Sequence, residues 1–402
     1  MSKEYIFRNI YLNIFLLFIN TSTSDAFFKG LFIPPNIISL LRLVLNFMFL
    51  LILIYYFLTR RIRVKKYIMT IIFIVFSGMS ILWTPDKFEA IKLYINISGA
   101  ISYLVLFFII NKKSDSIKIV FNYCLLLIVC EIMSFTLLGR VGYMDGSGSN
   151  TLRGIHLSRS AMIIYLNFCL FIFLYYLMNE KKLKYKEKLK TIIFIVLSVI
   201  LIVISKSSTG LITVMLLIPL LLFFNGKRRD KIVLKVSILI AMLLPLMNIT
   251  SSFLNNLIIT IFGKTLTFSG RRYIWDYALE NLVNNPIIGS GFDSTKYYLS
   301  GKVIPIYERV ASHTHNGFLE LFLQLGLVGV VLLIVIIFIT YRYTIMYNKK
   351  ESNLIRAYLV IFVIFNFMEP FMLNNVSLIT LWLPLIFIIT DNIKINKENI
   401  NE

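Results

Sequence analysis

The residues best suited to chemistry lie within the interval 269–329. It contains two of the three histidines in the chain, His313 and His315, and the adjacent arginines Arg271 and Arg272. Imidazole can act as a general base near neutral pH, and guanidinium binds phosphate oxygens through paired hydrogen bonds. Because the flanking sequence is strongly apolar, this polar interval predicts a functional site.

The two histidines allow more than one interpretation. Paired histidines suit a zinc site, but no cysteine and no suitably spaced carboxylate completes a ligand set in the sequence, so we predict no metal. Asn316 follows His315 and is expected to cap the helix that begins there. Glu320 either orients the histidines or is a first-turn acid that interacts with the helix dipole.

The segment that begins at Arg271 has the apolar spacing of a short amphipathic helix, with Ser269 as its expected N-cap. Arg271 would then lie at a helix N-terminus, where backbone amides favour an anion. Trp275 and the neighbouring tyrosines are typical of a helix that lies at the level of the lipid headgroups. For the body of this helix, we therefore expect an interfacial anchor.

Composition defines the fold class. The 402 residues are 58% hydrophobic and 15% charged, with a mean hydropathy of +0.81, whereas soluble domains carry roughly 25% charged residues. Repeated apolar runs near the ~20 residues that cross a bilayer predict an all-α polytopic membrane protein with about 12 transmembrane helices. The cysteines Cys124, Cys130 and Cys169 fall inside apolar runs and are expected to be packing residues.

The net charge of +21 reflects topology. Most of the Lys and Arg fall in alternate short intervals, as the positive-inside rule requires, so we expect cytoplasmic termini and no nucleic-acid partner. Residues 1–249 would hold roughly the first nine transmembrane helices. Residues 250–315 would form a large extracytoplasmic loop with a short amphipathic helix, and residues 316–402 roughly the last three helices and a cytoplasmic tail.

Several basic residues are expected on the outer side, where Lys and Arg are usually sparse. Together they predict a binding surface for an anionic ligand, and they are Arg42, Arg140, Arg153, Arg159, Lys206, Arg271, Arg272 and Arg309. The glycine-rich segment 142–150 lacks the order of a phosphate-binding loop. Glu131 and Glu369 are ionisable groups within predicted spans, which makes them functional candidates without an assigned role.

These motifs resemble those of the O-antigen ligase and O-antigen polymerase family. SGRRYIW is similar to the family's Gly-x-Arg segment at Arg271, and NPIIGSGF to its Asn-Pro-x-x-Gly-x-Gly element. SHTHNGFLELFLQLGLVG resembles the His-x-His-Asn…Gly-x-x-Gly signature and places His315 at the essential histidine. RGIHLSRSA matches a further segment at Arg153. One departure is the short turn SKSSTG, where Ser208 occupies the place of a family arginine and Lys206 precedes it.

The resemblance implies a GT-C-like, metal-independent glycan transferase that needs no cofactor. Its donor would be a polyprenyl-diphosphate-linked oligosaccharide, bound from the bilayer at the extracytoplasmic face of the bacterial cytoplasmic membrane, and its acceptor a second glycan. The resemblance makes His315 and Arg271 the catalytic candidates. It makes Arg153, Lys206, Arg272, His313 and Asn316 substrate-binding candidates, and it implies a chain-length regulator protein as a further partner.

Three activities remain open at this point. A polymerase would join lipid-linked repeat units into O-antigen or capsular polysaccharide, whereas a ligase would transfer the glycan to lipid A-core in lipopolysaccharide. A lipid-linked oligosaccharide transporter would instead require charged residues along a central path and two related halves. The chain concentrates its polar residues on one side and shows no such halves, so a transferase is favoured, and two outer arginine clusters favour the polymerase.

Overall fold

A computed structural model of the chain describes residues 9–20, 34–59, 64–136, 143–144, 151–156, 158–179, 184–223, 228–243, 271–282, 284–300, 303–304, 309–310, 313–347, 349–374 and 377–391. The expected cap Ser269, most of the glycine-rich segment, Arg140 and the first part of the 250–315 loop lie outside these residues.

The described residues form helices connected by short irregular segments. The first helices are α1 Ile10–Ile19, α2 Pro35–Leu58, α3 Ile68–Met79, α4 Lys87–Ile110, α5 Lys113–Thr136, α6 Arg159–Asn179, α7 Tyr185–Ile204, α8 Ser208–Phe223 and α9 Arg228–Leu243. They are followed by α10 Arg271–Leu282, α11 Thr295–Leu299, α12 Gly317–Tyr343 and α13 Lys349–Met368. A π-helical turn, Leu378–Trp382, leads into the last apolar helix α14, Thr380–Asp391.

The β-structure within the described residues is limited to two-residue strands. β1 Tyr143–Met144 pairs antiparallel with β2 Thr151–Leu152, and β3 Val303–Ile304 pairs with β4 Arg309–Val310. Each pair closes a connection between helices, so the chain is an all-α protein.

Five helices in the described part of the chain are long and apolar enough to cross a membrane. Their spans are Asn36–Leu58, Lys87–Ile110, Lys113–Ser134, Arg159–Met178 and Gly317–Met346. Shorter apolar helices include Ile10–Ile19, Ile68–Trp83, Thr209–Leu221 and Thr380–Asp391. The chain is therefore a multi-pass membrane protein, as composition predicts, while about 12 spans remains a prediction.

Local sequence explains where the helices begin. Pro35 occupies the first turn of α2, where its missing N–H would have no helical partner in any case. The Asp86 side chain caps α4 by accepting a hydrogen bond from the Glu89 backbone N–H at 3.1 Å. The side chain of Asn316 caps α12 in the same way, with the N–H of Leu319 at 2.9 Å. The expected cap at Asn316 is confirmed.

The helices pack around a core to which α4, α5, α6 and α13 contribute most. Helix α2 packs along α4, α6 along α7, and α13 against α6, α8, α9 and α12. Large apolar side chains on α2 such as Leu40, Val44 and Met48 point away from the protein. In a multi-pass membrane protein, these outward apolar side chains suit contact with lipid.

Helix α12 is broken at Gly326, whose backbone is left-handed at φ 64° and ψ −166°. The loop that follows α10 inserts its backbone into the break. The N–H groups of Ser290 and Gly291 donate to the carbonyls of Leu323 and Gln324, both at 2.9 Å. On the other side of the break, the N–H of Leu327 donates to the Pro286 carbonyl at 2.9 Å, and that of Val328 to Ile287 at 3.1 Å.

The NPIIGSGF motif is therefore a structural element that satisfies the backbone of a discontinuous helix. Unpaired backbone groups inside a membrane protein cost several kcal/mol each, so a break needs such a partner. The far side of this loop is bound to the connection between α3 and α4. There Thr84 donates to the Phe292 carbonyl at 2.8 Å, and Ser80 accepts from the Phe292 N–H at 3.1 Å.

We expect Gly326→Ala to destabilise the protein by about 2 kcal/mol or more, because a side chain in left-handed backbone is strained. A Cβ atom at this position would also lie 2.3 Å from the Ile287 carbonyl oxygen. Thermal unfolding of purified protein would show a lower midpoint. Leu327→Ala is the matched control, since the exposed Leu327 side chain follows the break; equal midpoints for the two variants would contradict the prediction.

Candidate active site

The site is built around the loop His313–Asn316 that precedes α12. His315 has left-handed backbone at φ 53°, a conformation that costs a non-glycine residue of order 1–3 kcal/mol and persists only when its surroundings impose it. Asn316 sets the position of the loop relative to α12 through its capping hydrogen bond.

Glu320, in the first turn of α12, holds the loop through hydrogen bonds to Thr314. Its Oε2 accepts hydrogen bonds from both the backbone N–H and the hydroxyl of Thr314, each at 2.8 Å. Its Oε1 accepts from the Gln324 amide at 3.0 Å. Thr314 lies between the two histidines, so Glu320 orients the pair through the backbone, which was one of the two alternatives for this residue.

Helix α10 docks on the same loop. The Trp275 indole N–H donates to the Thr314 carbonyl at 2.9 Å, and Trp275, Ala278 and Leu282 pack against Leu319 and Leu323 of α12. Trp275 is 3% exposed, so the structure corrects the expectation of an interfacial tryptophan. A buried indole needs an acceptor, and the Thr314 carbonyl supplies one.

Glu369, which directly follows α13, joins the elements of the site. Its Oε1 lies 3.1 Å from Nη2 of Arg271 and accepts a hydrogen bond from the Ser160 hydroxyl at 2.7 Å. Its Oε2 lies 3.5 Å from Nδ1 of His315. A largely buried carboxylate thus contacts the arginine and the histidine that the sequence made catalytic candidates.

His313 lies beside this cluster, with its ring centroid 4.0 Å from that of His315. Burial, reinforced by the neighbouring His315, lowers the pKa of His313 below its usual value. A neutral imidazole can act as a hydrogen-bond donor or acceptor, and also as a metal ligand.

The donor atoms of His313, His315 and Glu369 lie within 4.8 Å of one another, a group that could hold a metal ion. This corrects the premise that no carboxylate completes a ligand set, because Glu369 arrives from a distant part of the chain. The Arg271 guanidinium lies on the same carboxylate and brings a positive charge. It would compete with a cation for Glu369, so the donor set alone does not define a metal centre.

The other predicted residues are placed less directly. Arg153 is half-buried in the turn that leads towards Ser160, and Lys206 is exposed between α7 and α8 with left-handed backbone. Among the described residues, Lys206 takes no part in the contacts around Glu369. For Arg272 the structure describes only the backbone, which forms part of α10.

The role of Glu369 and the contribution of Ser160 were missed by sequence reasoning. The only signal for Glu369 was an ionisable residue within a predicted span, which marks a functional candidate but not its partners. Ser160 gave no signal, since a serine in the first turn of a helix is common.

Comparison with known proteins agrees with the motifs. Residues 193–334 match the family model described as O-antigen ligase. The exopolysaccharide production protein ExoQ of Rhizobium meliloti is 31% identical over 90 residues, which cover 20% of each chain. A Rickettsia conorii protein whose name is that of a polysaccharide ligase is 29% identical over 90 residues, 21% of this chain and 20% of its own. A Rickettsia felis protein with the same kind of name is 29% identical over 93 residues, 22% of each.

The matched segments span about a fifth of these relatives. The apolar helices show a multi-pass membrane protein, and the family match and the relatives confirm the resemblance that the motifs indicated, to the O-antigen ligase family.

Proposed function

We propose that this protein is a metal-independent membrane glycan transferase. It polymerises polyprenyl-diphosphate-linked repeat units into O-antigen or capsular polysaccharide on the outer face of the bacterial cytoplasmic membrane. The observation that carries the proposal is the contact of Glu369 with both His315 and Arg271. One carboxylate thereby holds a general base beside a cation suited to a diphosphate leaving group.

In the proposed reaction, His315 accepts the proton of an acceptor sugar hydroxyl. The hydroxyl oxygen forms a bond to the anomeric carbon of the donor sugar, and the bond from that carbon to the diphosphate oxygen breaks. The electron pair leaves with the polyprenyl diphosphate. Glu369 faces Nδ1 of His315, so it orients the ring with Nε2 towards the acceptor and stabilises the imidazolium that forms.

Arg271 would bind the diphosphate. It is the first residue of α10, where helix N-terminal amides add partial positive charge. Its Nη2 contact with Glu369 fixes the direction of the planar guanidinium, which suits bidentate binding of phosphate oxygens. Arg153, Lys206, Arg272, His313 and Asn316 are retained as substrate-binding candidates in this proposal.

An apolar groove beside the site suits the polyprenyl tail. It has a volume of about 440 Å³ and lies between α8, α9 and α13, with Leu216, Ile232 and Ile364 in its wall. Phe367 also lines the groove and lies two residues before Glu369 in the sequence. The Phe367 ring centroid lies 6.3 Å from that of Trp275. A lipid in the groove would therefore approach the diphosphate site from the membrane.

The predicted topology belongs to the same proposal. In this topology, residues 1–249 and 316–402 hold the transmembrane helices, and residues 250–315 form the extracytoplasmic loop. His315 and Arg271 would then face the outside, where acceptor glycans are assembled. The partners would be the lipid-linked donor, a glycan acceptor and a chain-length regulator protein.

A ligase is the second candidate, because the family model and two relatives carry ligase names. For the polymerase, the sequence offers two groups of arginines that are predicted to lie on the outer side. One group is Arg140, Arg153 and Arg159, and the other is Arg271, Arg272 and Arg309. A polymerase holds two anionic lipid-linked chains at once, which suits two groups of cations. This argument favours the polymerase.

The products of a gene deletion separate these activities. For a polymerase, we expect single repeat units on the final carrier, because each unit is transferred without being extended. Electrophoresis of surface glycans and extraction of lipid-linked intermediates would measure this. Long chains that remain on polyprenyl diphosphate would instead identify a ligase.

We expect His315→Ala to lower kcat by about 10²–10⁴-fold, the usual contribution of a positioned general base. The measurement is the rate of glycan transfer by purified protein in lipid. Addition of a metal chelator should leave the wild-type rate unchanged. His313→Ala is the control and should be milder, because His313 does not contact Glu369 through an ion pair among the described residues. A near-normal rate for His315→Ala would exclude the catalytic role.

We expect Arg271→Lys to lower kcat/KM for the donor by about 10- to 100-fold, although charge is retained, because an ammonium group cannot reproduce the paired hydrogen bonds of guanidinium. Arg272→Lys is the matched comparison and should lower kcat/KM less than Arg271→Lys, since adjacent residues on a helix point in different directions. Donor titrations would measure both variants, and equal values for Arg271→Lys and wild type would exclude the bidentate contact.

A further inference from the structure

A second buried acid–base contact lies outside the contacts described so far. Glu131, near the end of α5, pairs its Oε1 with Nε2 of His156, and both side chains are nearly inaccessible. The other oxygen of Glu131 accepts a hydrogen bond from the Ile155 backbone N–H at 3.2 Å. The His156 ring stacks on Tyr165 of α6, with centroids 4.6 Å apart and 20° between the planes.

The backbone is shaped to allow this contact. Gly154 is left-handed at φ 61°, and a Cβ atom at this position would overlap Oε2 of Glu131. The turn closes with a hydrogen bond from the His156 N–H to the Arg153 carbonyl at 3.3 Å. A carboxylate at the end of α5 thus organises the turn that carries Arg153.

The same segment leads directly into the site. Four residues after His156, Ser160 in the first turn of α6 donates its hydroxyl to Oε1 of Glu369 at 2.7 Å. Between them, the Ser158 hydroxyl accepts from the Ala161 N–H at 3.2 Å and caps the start of the helix. Hydrogen bonds therefore join Glu131 to the 153–156 turn and Ser160 to Glu369, and Ser160 lies four residues after the end of that turn in the sequence.

Stability alone does not account for such a contact. Replacement of a buried charged pair by apolar side chains is often neutral or stabilising, and in some proteins a buried polar pair instead fixes one arrangement of the chain. We propose that the Glu131–His156 pair is a positioning element, which holds the 153–160 segment so that Ser160 keeps Glu369 in place against His315 and Arg271. The test of this proposal by enzyme activity rests on the proposed transferase function, whereas the test by hydrogen exchange does not.

The activity experiment is a double-mutant cycle between Glu131 and Ser160. We expect Glu131→Ala to lower kcat by about 10- to 100-fold, the range for a small displacement of a catalytic group. The double variant with Ser160→Ala should be no slower than Glu131→Ala alone, because the same contact is already lost. Glu131→Gln should restore most of the rate, since its amide can still bond Ile155 and His156. Losses that multiply, or no rescue by Gln, would overturn the proposal.

The structural experiment uses amide hydrogen exchange of the full-length protein in lipid. Glu131→Ala should accelerate exchange in residues 153–160 and in the segment around Glu369. Unchanged exchange around Glu369 would overturn the positioning role, even if the protein has another substrate. Should Glu131→Ala fail to accumulate, His156→Phe takes its place under the same criteria, because Phe keeps the stacking on Tyr165 and removes the imidazole nitrogens.

The matched control is another buried ion pair, Asp230 with Arg356, at 3.5 Å. Its arginine also donates to the Thr344 hydroxyl at 2.9 Å, next to the end of α12 that is remote from His315. Asp230→Asn should leave exchange around Glu369 unchanged, and its effect on kcat should multiply with that of Ser160→Ala. An Asp230→Asn variant that reproduced the behaviour of Glu131→Ala would reduce the proposal to general destabilisation and overturn it.

Discussion

The site depends on the contacts that the buried carboxylate of Glu369 makes. A charge removed from water must be compensated by opposite charge or hydrogen bonds, and three separate elements supply them. Ser160 comes from α6, Arg271 from α10 and His315 from the loop before α12. Because all three partners contact the same buried group, the requirement that stabilises Glu369 also brings the histidine and the arginine together.

The break in α12 helps to determine where His315 lies relative to Glu369. Left-handed backbone at Gly326 lets the 286–291 loop bind both halves of the helix, and this loop directly follows α10. Helix α10 is thereby held beside the first half of α12, where Trp275 reaches the Thr314 carbonyl. The family motif with two glycines thus positions the catalytic candidates through backbone contacts and adds no reactive group of its own.

Carboxylates bound to backbone N–H groups recur around the site. Glu320 binds the N–H of Thr314, and Glu131 binds that of Ile155. Each lies near a helix end and binds a short segment that leads into a helix. In a low-dielectric interior such hydrogen bonds are strong, and their loss leaves a buried charge, so they define position well. The proposed transferase would require rigid placement, because its general base and its phosphate-binding group would act on one bond.

The sequence by itself determined the membrane class, the cap at Asn316, the helix from Arg271 onwards and the residues most suited to chemistry. These follow from apolar run length, local hydrogen bonding and residue type, which act over a few positions. Only the tertiary structure decided that Glu369 joins Arg271 to His315, that Trp275 is buried and that a carboxylate lies beside both histidines. These contacts link residues far apart in the chain, and they depend on how helices pack, which local patterns do not encode.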